Sequence, residues 1–375
     1  NVVIFAQAAV AAPDRYGAEA AREILAAGGN AVGAAVGGGF ALAVTYPEAG
    51  NLGGGGSMTL YVGGKASFLD FRETAPGQAT AGMYLGSDGN PVRRLSTIGN
   101  LSVAVPGTVR GLAMAHKRYG KLPWARTLAP AIRLARNGFL VSDHLIGVRD
   151  VYTPRFKGLT NYDRYFGSLA AGSVFRQPEL AKTLQRIAKG GDKEFYQGKT
   201  AKLLVAQMAR SETKGIISLA DLKGYKAVWR EPVMGSWRGY TVITAPPPSS
   251  GGIALLQLLR MKEHASALFR DVPLNSPQYV HLLAEIEKRV FAVRAKYLDD
   301  PDFVKALSEV SIPVIGVGGS YHRNADYPRN FPYVATDNEK LVTEAYTHLV
   351  DMGLPHFAFY GLPETRSYRW SGGRE

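Results

Sequence analysis

Arg72 stands where a predicted strand runs into a turn, in the stretch Leu69-Asp-Phe-Arg-Glu-Thr-Ala-Pro76. Turns at the ends of rigid elements commonly carry functional side chains. A guanidinium can bind a carboxylate through two parallel hydrogen bonds, which orient the anion as well as attract it. From spacing alone, a salt bridge of Arg72 with Asp70 or Glu73 is the simpler alternative. The stretch therefore indicates either a carboxylate-binding residue or a local ion pair.

A glycine-rich stretch, Gly50-Asn-Leu-Gly-Gly-Gly-Gly56, precedes that strand and superficially suggests a phosphate-binding loop. A P-loop requires Lys-Ser or Lys-Thr after its last glycine, whereas Ser57-Met58 follows here. The dinucleotide-binding motif needs a strand before it and a helix after it, and the predicted order here is the reverse. The stretch is therefore predicted to be a turn whose backbone passes close to another layer.

Other catalytic patterns are absent from the sequence. The chain has no cysteine, which excludes disulfides, thiolate nucleophiles and cysteine-ligated metals. None of its 7 histidines belongs to a His-Glu-x-x-His motif, and no Gly-x-Ser-x-Gly elbow supports Ser249 or Ser250 as a nucleophile. The run Pro246-Pro-Pro-Ser-Ser-Gly-Gly252 is predicted to be a structural crossover between a strand and a helix. We predict no metal and no cofactor.

The formal net charge is +13, and its distribution along the chain is uneven. Residues from Val304 onward carry 7 Lys+Arg and 8 Asp+Glu, so the positive excess lies in the first 303 residues. No arginine-rich run alternates with aromatic residues, which favours a solvated basic surface over nucleic-acid binding. The longest apolar run, Ala31–Thr45, is broken by glycines and falls short of the roughly 18–20 residues of a membrane helix. Neither nucleic acid nor a membrane span is predicted.

Apolar spacing and capping residues predict the elements that position these motifs. Helices are predicted over residues 14–27, 107–119, 127–137, 178–188 and 200–211. Asn30 and Ser218 are predicted to cap two further helices, and Ser276 followed by Pro277 begins a long one that ends near Leu298. Strands are predicted at 57–62, 66–71 and 238–244, the first two joined by a tight turn at Gly63-Gly64. The mixture lacks the regular alternation of a doubly wound sheet.

Nine stretches of the sequence occur together in the order and spacing of one family. They are Gly28-Gly-Asn-Ala-Val32, 41–56, 70–76, Val105-Pro-Gly-Thr-Val109, Leu134-Ala-Arg-Asn-Gly-Phe139, Asp221-Leu-Lys-Gly-Tyr-Lys-Ala-Val228, Arg238-Gly-Tyr240, 246–252 and Tyr297-Leu-Asp-Asp-Pro-Asp-Phe303. This ordered series, from Asn1 to about Phe303, resembles the large subunit of γ-glutamyltranspeptidase.

The resemblance implies an α+β fold, a four-layer αββα sandwich of the N-terminal-nucleophile hydrolase type. It implies a precursor that cuts itself into large and small subunits, which then form a heterodimer. The new N-terminal Thr of the small subunit is the nucleophile, and its own amine is the base. A γ-glutamyl-enzyme forms, donors stabilise the oxyanion, and water or an amino acid or peptide acceptor releases the group.

By the family's pattern, Arg72 binds the α-carboxylate of a γ-glutamyl substrate such as glutathione. No catalytic residue is assigned to this chain, because the Thr nucleophile is expected on the small subunit. The N-terminus, Asn1-Val-Val-Ile-Phe-Ala, lacks the basic start of a signal peptide. A periplasmic or secreted protein is expected, with its signal already removed.

Two alternatives remain open at this stage. A cephalosporin or glutaryl acylase shares the fold and the nucleophile but has a different acyl pocket, so the fold does not separate the two. An inactive homologue would share the sequence features of a large subunit without an active partner.

The resemblance weakens at several positions and stops near Val304. Residues that differ from the family's usual ones are Gly33, Gly37, Gly38, Val293 and Asp299. From about Val304 the sequence instead resembles a fragment of the effector domain of a xylose-operon transcriptional regulator. Its pattern is a strand at 312–317, a helix at about 338–351 and a strand at 357–360. Residues 304–375 are therefore predicted to be a foreign tail, and a sugar-binding regulatory module is a further alternative.

Overall fold

A computed structural model describes residues 2–4, 8–210 and 214–294, together with two three-residue strands at 316–318 and 333–335. The described residues separate into two compact units. The first contains those up to Ala79 and then Tyr84–Glu231, and the second contains Thr80–Met83 and those from Pro232 onward. The predicted junction near Val304 lies outside the described residues and stays a prediction.

The first unit mixes many helices with short strands. Its helices are α1 (Arg15–Ala26), α2 (Ala31–Thr45), α3 (Arg93–Thr97), α4 (Thr108–Tyr119), α5 (Trp124–Asn137), α6 (Asp143–Phe156), α7 (Tyr162–Phe166), α8 (Pro178–Gly190), α9 (Asp192–Gln197), α10 (Lys199–Met208) and α11 (Leu219–Gly224). Its strands are β1 (Val2–Ile4), β2 (Ala9–Ala11), β3 (Ser57–Val62), β4 (Lys65–Asp70), β5 (Phe139–Leu140), β6 (Val174–Phe175) and β7 (Val228–Arg230). The predicted α+β class is confirmed.

This unit contains a three-stranded antiparallel sheet with the order β3-β4-β7. β3 and β4 form the predicted hairpin, and Gly63 and Gly64 make its turn with φ of 57° and 76°. β7 pairs with β4 in a register that puts Val228 opposite Asp70 and Arg230 opposite Phe68. Residues two apart on a strand share a face, so Asp70 and Arg230 are diagonal neighbours on one face.

α2 is the central core helix, and its Val36, Phe40 and Val44 are fully buried. Glycines let it pack closely against its neighbours. A Cβ on Gly37 would lie 2.9 Å from Ile24 Cγ1 of α1 and 3.1 Å from the Thr127 carbonyl oxygen of α5. Gly37, which departs from the family's usual residue, therefore stands where a larger side chain would not fit. Glycine weakens a helix by about 1 kcal/mol relative to alanine, and here close packing offsets that cost.

The predicted caps at Asn30, Ser218 and Ser276 are confirmed. Asn30 accepts a hydrogen bond from the Gly33 N–H at 2.9 Å, and Ser276 accepts one from the Tyr279 N–H at 3.2 Å. Ser218 forms a reciprocal capping box with Asp221 at the start of α11. These side chains satisfy backbone donors that a helix N-terminus leaves unpaired.

Other boundaries depend on tertiary contacts that the local pattern does not reveal. α5 begins at Trp124, one turn before the predicted start at Thr127, because the Trp124 ring packs edge-on against Phe40 and donates to the Ile187 carbonyl at 2.9 Å. α6, α7, α9 and β7 were not predicted. α6 buries only Leu145, so its apolar residues show no helical stripe.

The second unit contains a hairpin followed by helices. Its elements are β8 (Val233–Trp237), β9 (Tyr240–Thr244), α12 (Ser250–His264), a 3₁₀ helix (Ser266–Phe269), α13 (Pro277–Val293), β10 (Gly316–Gly318) and β11 (Tyr333–Ala335). The predicted strand 238–244 begins at Tyr240 because Arg238 and Gly239 form the hairpin turn, with φ of 48° and 83°. No helix in the described part of the chain is long and apolar enough to cross a membrane.

α13 is described as far as Val293, and its predicted end near Leu298 lies outside the described residues. β10 overlaps the predicted strand 312–317 and pairs in parallel with β11. The predicted helix at 338–351 and strand at 357–360 also lie outside the described residues.

Candidate functional site

Arg72 follows the end of β4 and presents an exposed side chain. The strand is extended by one residue, because Phe71 exchanges backbone hydrogen bonds with Gly56 at 3.0 and 3.3 Å. Within the described part of the chain, the Arg72 guanidinium has no ion-pair or hydrogen-bond partner. The structure thus holds the backbone beside Arg72 and leaves its charged end available.

The local ion pair considered from the sequence does not form among the described residues. Asp70 accepts the Arg72 backbone N–H on Oδ1 at 3.1 Å, and Oδ2 accepts Arg230 Nε at 2.8 Å. The Asp70 carboxylate is therefore neutralised by an arginine from β7. The Glu73 carboxylate instead lies beside Gly55, where an added Cβ would be 2.7 Å from Oε2. Among the described residues, neither acid pairs with the Arg72 guanidinium.

The glycine-rich stretch supports this end of β4. The Gly54 carbonyl accepts the backbone N–H groups of Gly107 and Thr108 at 2.7 and 3.0 Å. The Asn51 side chain closes the turn by accepting the Gly54 N–H at 2.9 Å. A Cβ on Gly55 would lie 2.7 Å from the Phe71 carbonyl oxygen. The predicted close backbone approach is confirmed.

The stretch around Gly107 packs against the same backbone. Thr74 and Val105 form a two-hydrogen-bond bridge at 2.9 and 3.3 Å. A Cβ on Gly107 would lie 2.0 Å from the Phe71 carbonyl oxygen and 2.2 Å from the Tyr225 hydroxyl. Only glycine leaves room here for both groups. Sequence stretches more than a hundred residues apart thus meet beside Arg72.

Tyr225 makes the most direct of these contacts. Its hydroxyl donates to the Arg72 carbonyl at 2.7 Å, and its ring stacks on Tyr196 at 5.7 Å with an interplanar angle of 8°. Tyr225 is 5% exposed. Burial raises the pKa of the Tyr225 hydroxyl above its usual range, so it remains a hydrogen-bond donor at physiological pH.

Tyr196 is fixed by two hydrogen bonds of its hydroxyl and by a cation–π contact of its ring. Its hydroxyl donates to the Pro106 carbonyl at 2.9 Å and accepts the Arg110 backbone N–H at 3.1 Å. The Arg110 guanidinium lies 4.3 Å above the Tyr196 ring centroid and pairs with Asp192. Burial raises the pKa of Tyr196 as well. The Tyr196 ring, on which Tyr225 stacks, is therefore held in place, and the Tyr196 hydroxyl both donates and accepts a hydrogen bond.

Asp221 ties the segment after Arg72 to α11. Its carboxylate accepts the Gly77 N–H at 2.8 Å and both the backbone N–H and the hydroxyl of Ser218 at 2.8 and 2.7 Å. Burial alone would raise the pKa of Asp221, but these hydrogen bonds lower it below its usual range. The carboxylate form therefore fixes the turn at Gly77.

Ser250 and two of the histidines considered from the sequence make contacts within the fold. Ser250 Oγ accepts Arg294 Nε at 2.9 Å, and the run 246–252 leads from β9 into α12 as predicted. His144 lies 2.6 Å from Glu48 Oε1, and burial lowers the pKa of His116. No group of three or more metal-binding side chains occurs among the residues that the structure describes.

The γ-glutamyltranspeptidase family model matches residues 17–313. The chain belongs to the γ-glutamyltranspeptidase family. A glutathione hydrolase proenzyme of Pseudomonas aeruginosa is 59% identical over 292 residues, which are 78% of this chain and 52% of that relative. An acylase ACY 1 proenzyme of Pseudomonas sp. (strain V22) is 40% identical over 287 residues, which are 74% of this chain and 51% of that relative.

A solved γ-glutamyltranspeptidase of Pseudomonas nitroreducens, complexed with L-DON, has a TM-score of 0.77 and 56% identity. The match covers 80% of this chain and 90% of that chain. The expected fold of the transpeptidases, an α+β sandwich of the N-terminal-nucleophile hydrolase type, is confirmed by this similarity. The chain spans about half the length of the curated relatives it matches.

The sequence pointed to Arg72 but not to the side chains that hold it. Tyr225 lies in one of the nine transpeptidase-like stretches, and Tyr196 and Arg230 lie in none of them. The sequence carries little to single out these three residues, since buried tyrosines and strand arginines occur in many folds without a functional role. Only the pairing of β7 with β4 brings Arg230 to Asp70.

Proposed function

We propose that this chain is the large subunit of a γ-glutamyl transferase or hydrolase that acts on glutathione and γ-glutamyl amides. A small subunit from the same autoprocessed precursor would supply the N-terminal Thr nucleophile and complete a heterodimer. Membership of the γ-glutamyltranspeptidase family supports the activity, and the proenzyme names of the relatives support a processed precursor. A periplasmic or secreted location is part of the same proposal.

The observation that carries this proposal is that the Arg72 guanidinium has no partner among the described residues. Of the two acids close to it in sequence, Asp70 is paired with Arg230 at 2.8 Å and Glu73 lies beside Gly55. A cation held at a strand end without a protein partner is suited to an anionic ligand. The α-carboxylate of a γ-glutamyl group is a planar anion that matches the two-pronged donor geometry of arginine.

Arg72 contributes binding and orientation rather than bond making. Holding the α-carboxylate fixes one end of the acyl chain, so the γ-carbonyl at the other end can be presented to the nucleophile of the small subunit. Such positioning converts binding energy into a favourable reaction geometry. The α-carboxylate stays bound while the acyl group is transferred, so Arg72 is expected to act mainly on KM.

The test is Arg72→Lys in the assembled enzyme, with release of p-nitroaniline from a γ-glutamyl p-nitroanilide as the measurement. Lysine keeps the charge but loses the planar fork. A charged hydrogen bond contributes about 1.5–3 kcal/mol, so kcat/KM is expected to fall about ten- to a hundredfold, mainly through KM.

Arg133→Lys is the matched control. Arg133 makes an exposed two-pronged contact with Glu23, at 2.5 and 3.3 Å, and exposed pairs contribute little. The control should keep parental kinetics. Unchanged kinetics in Arg72→Lys would show that this arginine does not bind substrate.

An acylase activity is the second candidate, and the similarity to the acylase ACY 1 proenzyme favours it. A glutaryl p-nitroanilide separates the two, because glutaryl lacks the α-amino and α-carboxylate groups. Preference for the γ-glutamyl substrate, lost in Arg72→Lys, supports the transferase. Preference for glutaryl, with no effect of the substitution, supports the acylase.

We further propose that residues 304–375 are not required by the transpeptidase part of the chain. The xylose-regulator resemblance rests on the sequence pattern alone. The family model extends to residue 313, about ten residues past the predicted junction, and leaves residues 314–375 unmatched. A chain truncated after Phe303 should keep the thermal unfolding midpoint of the full chain. A clearly lower midpoint would show that the tail contributes to the folded core.

A further inference from the structure

The backbone of Arg72 is held from both sides by side chains that are distant in sequence or already neutralised. Its N–H is bound by Asp70, whose charge Arg230 balances. Its carbonyl accepts the hydroxyl of Tyr225, 153 residues further along the chain. Both peptide groups of Arg72 are therefore fixed, while its guanidinium is left exposed.

We propose that Tyr225 is a positioning residue for γ-glutamyl substrates, acting through the Arg72 carbonyl; this rests on the proposed function of Arg72. A shift of the peptide group that follows Arg72 would move the Arg72 Cα, from which its side chain starts. The Tyr225 hydroxyl opposes that shift with a hydrogen bond of 2.7 Å. Tyr225 does not touch the substrate and takes no part in bond making.

The surroundings of Tyr225 fix the direction in which its hydroxyl donates this hydrogen bond. The Tyr225 ring cannot tilt freely because it stacks on Tyr196, whose hydroxyl donates one hydrogen bond and accepts another. Gly107 has no side chain, and a Cβ there would come within 2.2 Å of the hydroxyl. Such a fixed donor orients the acceptor, whereas an exposed tyrosine would not.

The hydroxyl is also not needed to keep Tyr225 in the core. The ring is buried and stacked, so phenylalanine at this position would retain the same packing. Tyr225→Phe therefore removes one hydrogen bond and leaves the Arg72 carbonyl without that donor. The expected consequence is a less restrained Arg72 rather than a misfolded subunit.

The experiment measures kinetics of the processed full-length enzyme with a γ-glutamyl p-nitroanilide for Tyr225→Phe, Arg72→Ala and the double variant. One neutral hydrogen bond predicts about a two- to tenfold rise in KM for Tyr225→Phe, with kcat nearly unchanged. Because Tyr225 acts through Arg72, adding Tyr225→Phe to Arg72→Ala should raise KM no further. Subunit processing is checked on a gel for each variant.

Tyr16→Phe is the matched control. The Tyr16 hydroxyl also bonds to backbone, accepting the Leu140 N–H at 2.9 Å and donating to the Leu140 carbonyl at 3.3 Å. It should leave KM unchanged. This comparison separates the general loss of a tyrosine hydroxyl from the loss of the one at Arg72.

A direct binding measurement covers the case in which processing of the variant is impaired. The inhibition constant of L-glutamate should rise two- to tenfold in whatever enzyme is processed, while that of 4-aminobutyrate, which lacks the α-carboxylate, should not change. An unchanged L-glutamate constant would overturn the proposal. Equal effects on both inhibitors would also overturn it, since they indicate general damage to the site.

The outcomes keep the two proposals apart. If Arg72→Ala leaves KM unchanged, the proposed role of Arg72 fails and the role of Tyr225 fails with it. If Arg72→Ala raises KM but Tyr225→Phe does not, only the role of Tyr225 is overturned. If the two effects on KM simply multiply in the double variant, Tyr225 does not act through Arg72.

Discussion

β4 and β9 both end in a loop with polar side chains, yet the two loops use those side chains in opposite ways. After β4, the side chains of Asp70 and Tyr225 hold the Arg72 backbone, and no described residue pairs with the Arg72 guanidinium. After β9, the loop is closed locally by the Ser249 N–H and the Pro246 carbonyl at 3.1 Å. The Ser250 hydroxyl is taken up by Arg294.

The comparison shows how a charged side chain can be kept available for a ligand. A side chain that is already paired within the fold, as Ser250 is with Arg294, is not free to bind substrate. Arg72 is free because Asp70, Tyr225 and the glycine-rich stretch hold the loop for it. The difference lies in which residues make the structural contacts, not in the composition of the two loops.

The largest loss of unfolding free energy is expected from Gly107→Ala, which lies beside the loop that follows β4. Its Cβ would meet the Phe71 carbonyl oxygen at 2.0 Å, and that backbone is tied on several sides and cannot move away. Overpacking of this kind costs about 2–3 kcal/mol of unfolding free energy. Urea unfolding of the assembled enzyme measures it. Gly147→Ala in α6, where a Cβ meets nothing within 4 Å, should not destabilise.

A smaller loss is expected from Gly252→Ala in the first turn of α12, beyond the loop that follows β9. Its Cβ would lie 2.0 Å from the Ala245 carbonyl oxygen, but the loop there is held mainly by local bonds and can relax. We expect a loss of about 1–2 kcal/mol in the same unfolding measurement. The neighbouring Gly251→Ala, with 3.6 Å to Ser249 Oγ, should be nearly neutral. A loss at Gly252 larger than that at Gly107 would reverse the comparison.

The smallest effect is a pH dependence at Asp221, whose pKa is lowered by its hydrogen bonds. A carboxyl with a depressed folded-state pKa stabilises the fold above its unfolded value of about 3.9, and this contribution is lost as pH falls through the folded value. Asp221→Asn should therefore flatten the decline in stability below about pH 4. Urea unfolding at stepwise lower pH measures this.

Asp143→Asn serves as the control for that measurement, because Asp143 is an exposed residue in the first turn of α6. It removes the same charge without the three hydrogen bonds of Asp221. An acid profile for Asp221→Asn identical to that of the parent would show that this carboxylate does not hold the Gly77 turn.

Much of the local structure was predictable from the sequence. The capping residues Asn30, Ser218 and Ser276 identified helix starts, because their side chains satisfy backbone donors within three residues. The hairpin at Gly63-Gly64 was equally local. The start of α5 at Trp124 was missed because that turn depends on Phe40 and on the Ile187 carbonyl, which are distant in sequence.

The sequence by itself determined the family resemblance, the α+β class and the choice of Arg72 as the candidate anion-binding residue. It left open whether Arg72 pairs with Asp70. Only the tertiary structure decided that, since β7 returns to pair with β4 and brings Arg230 within 2.8 Å of the Asp70 carboxylate. Local patterns report contacts within a few residues, whereas the partners of a charged side chain depend on which distant segments the fold brings together.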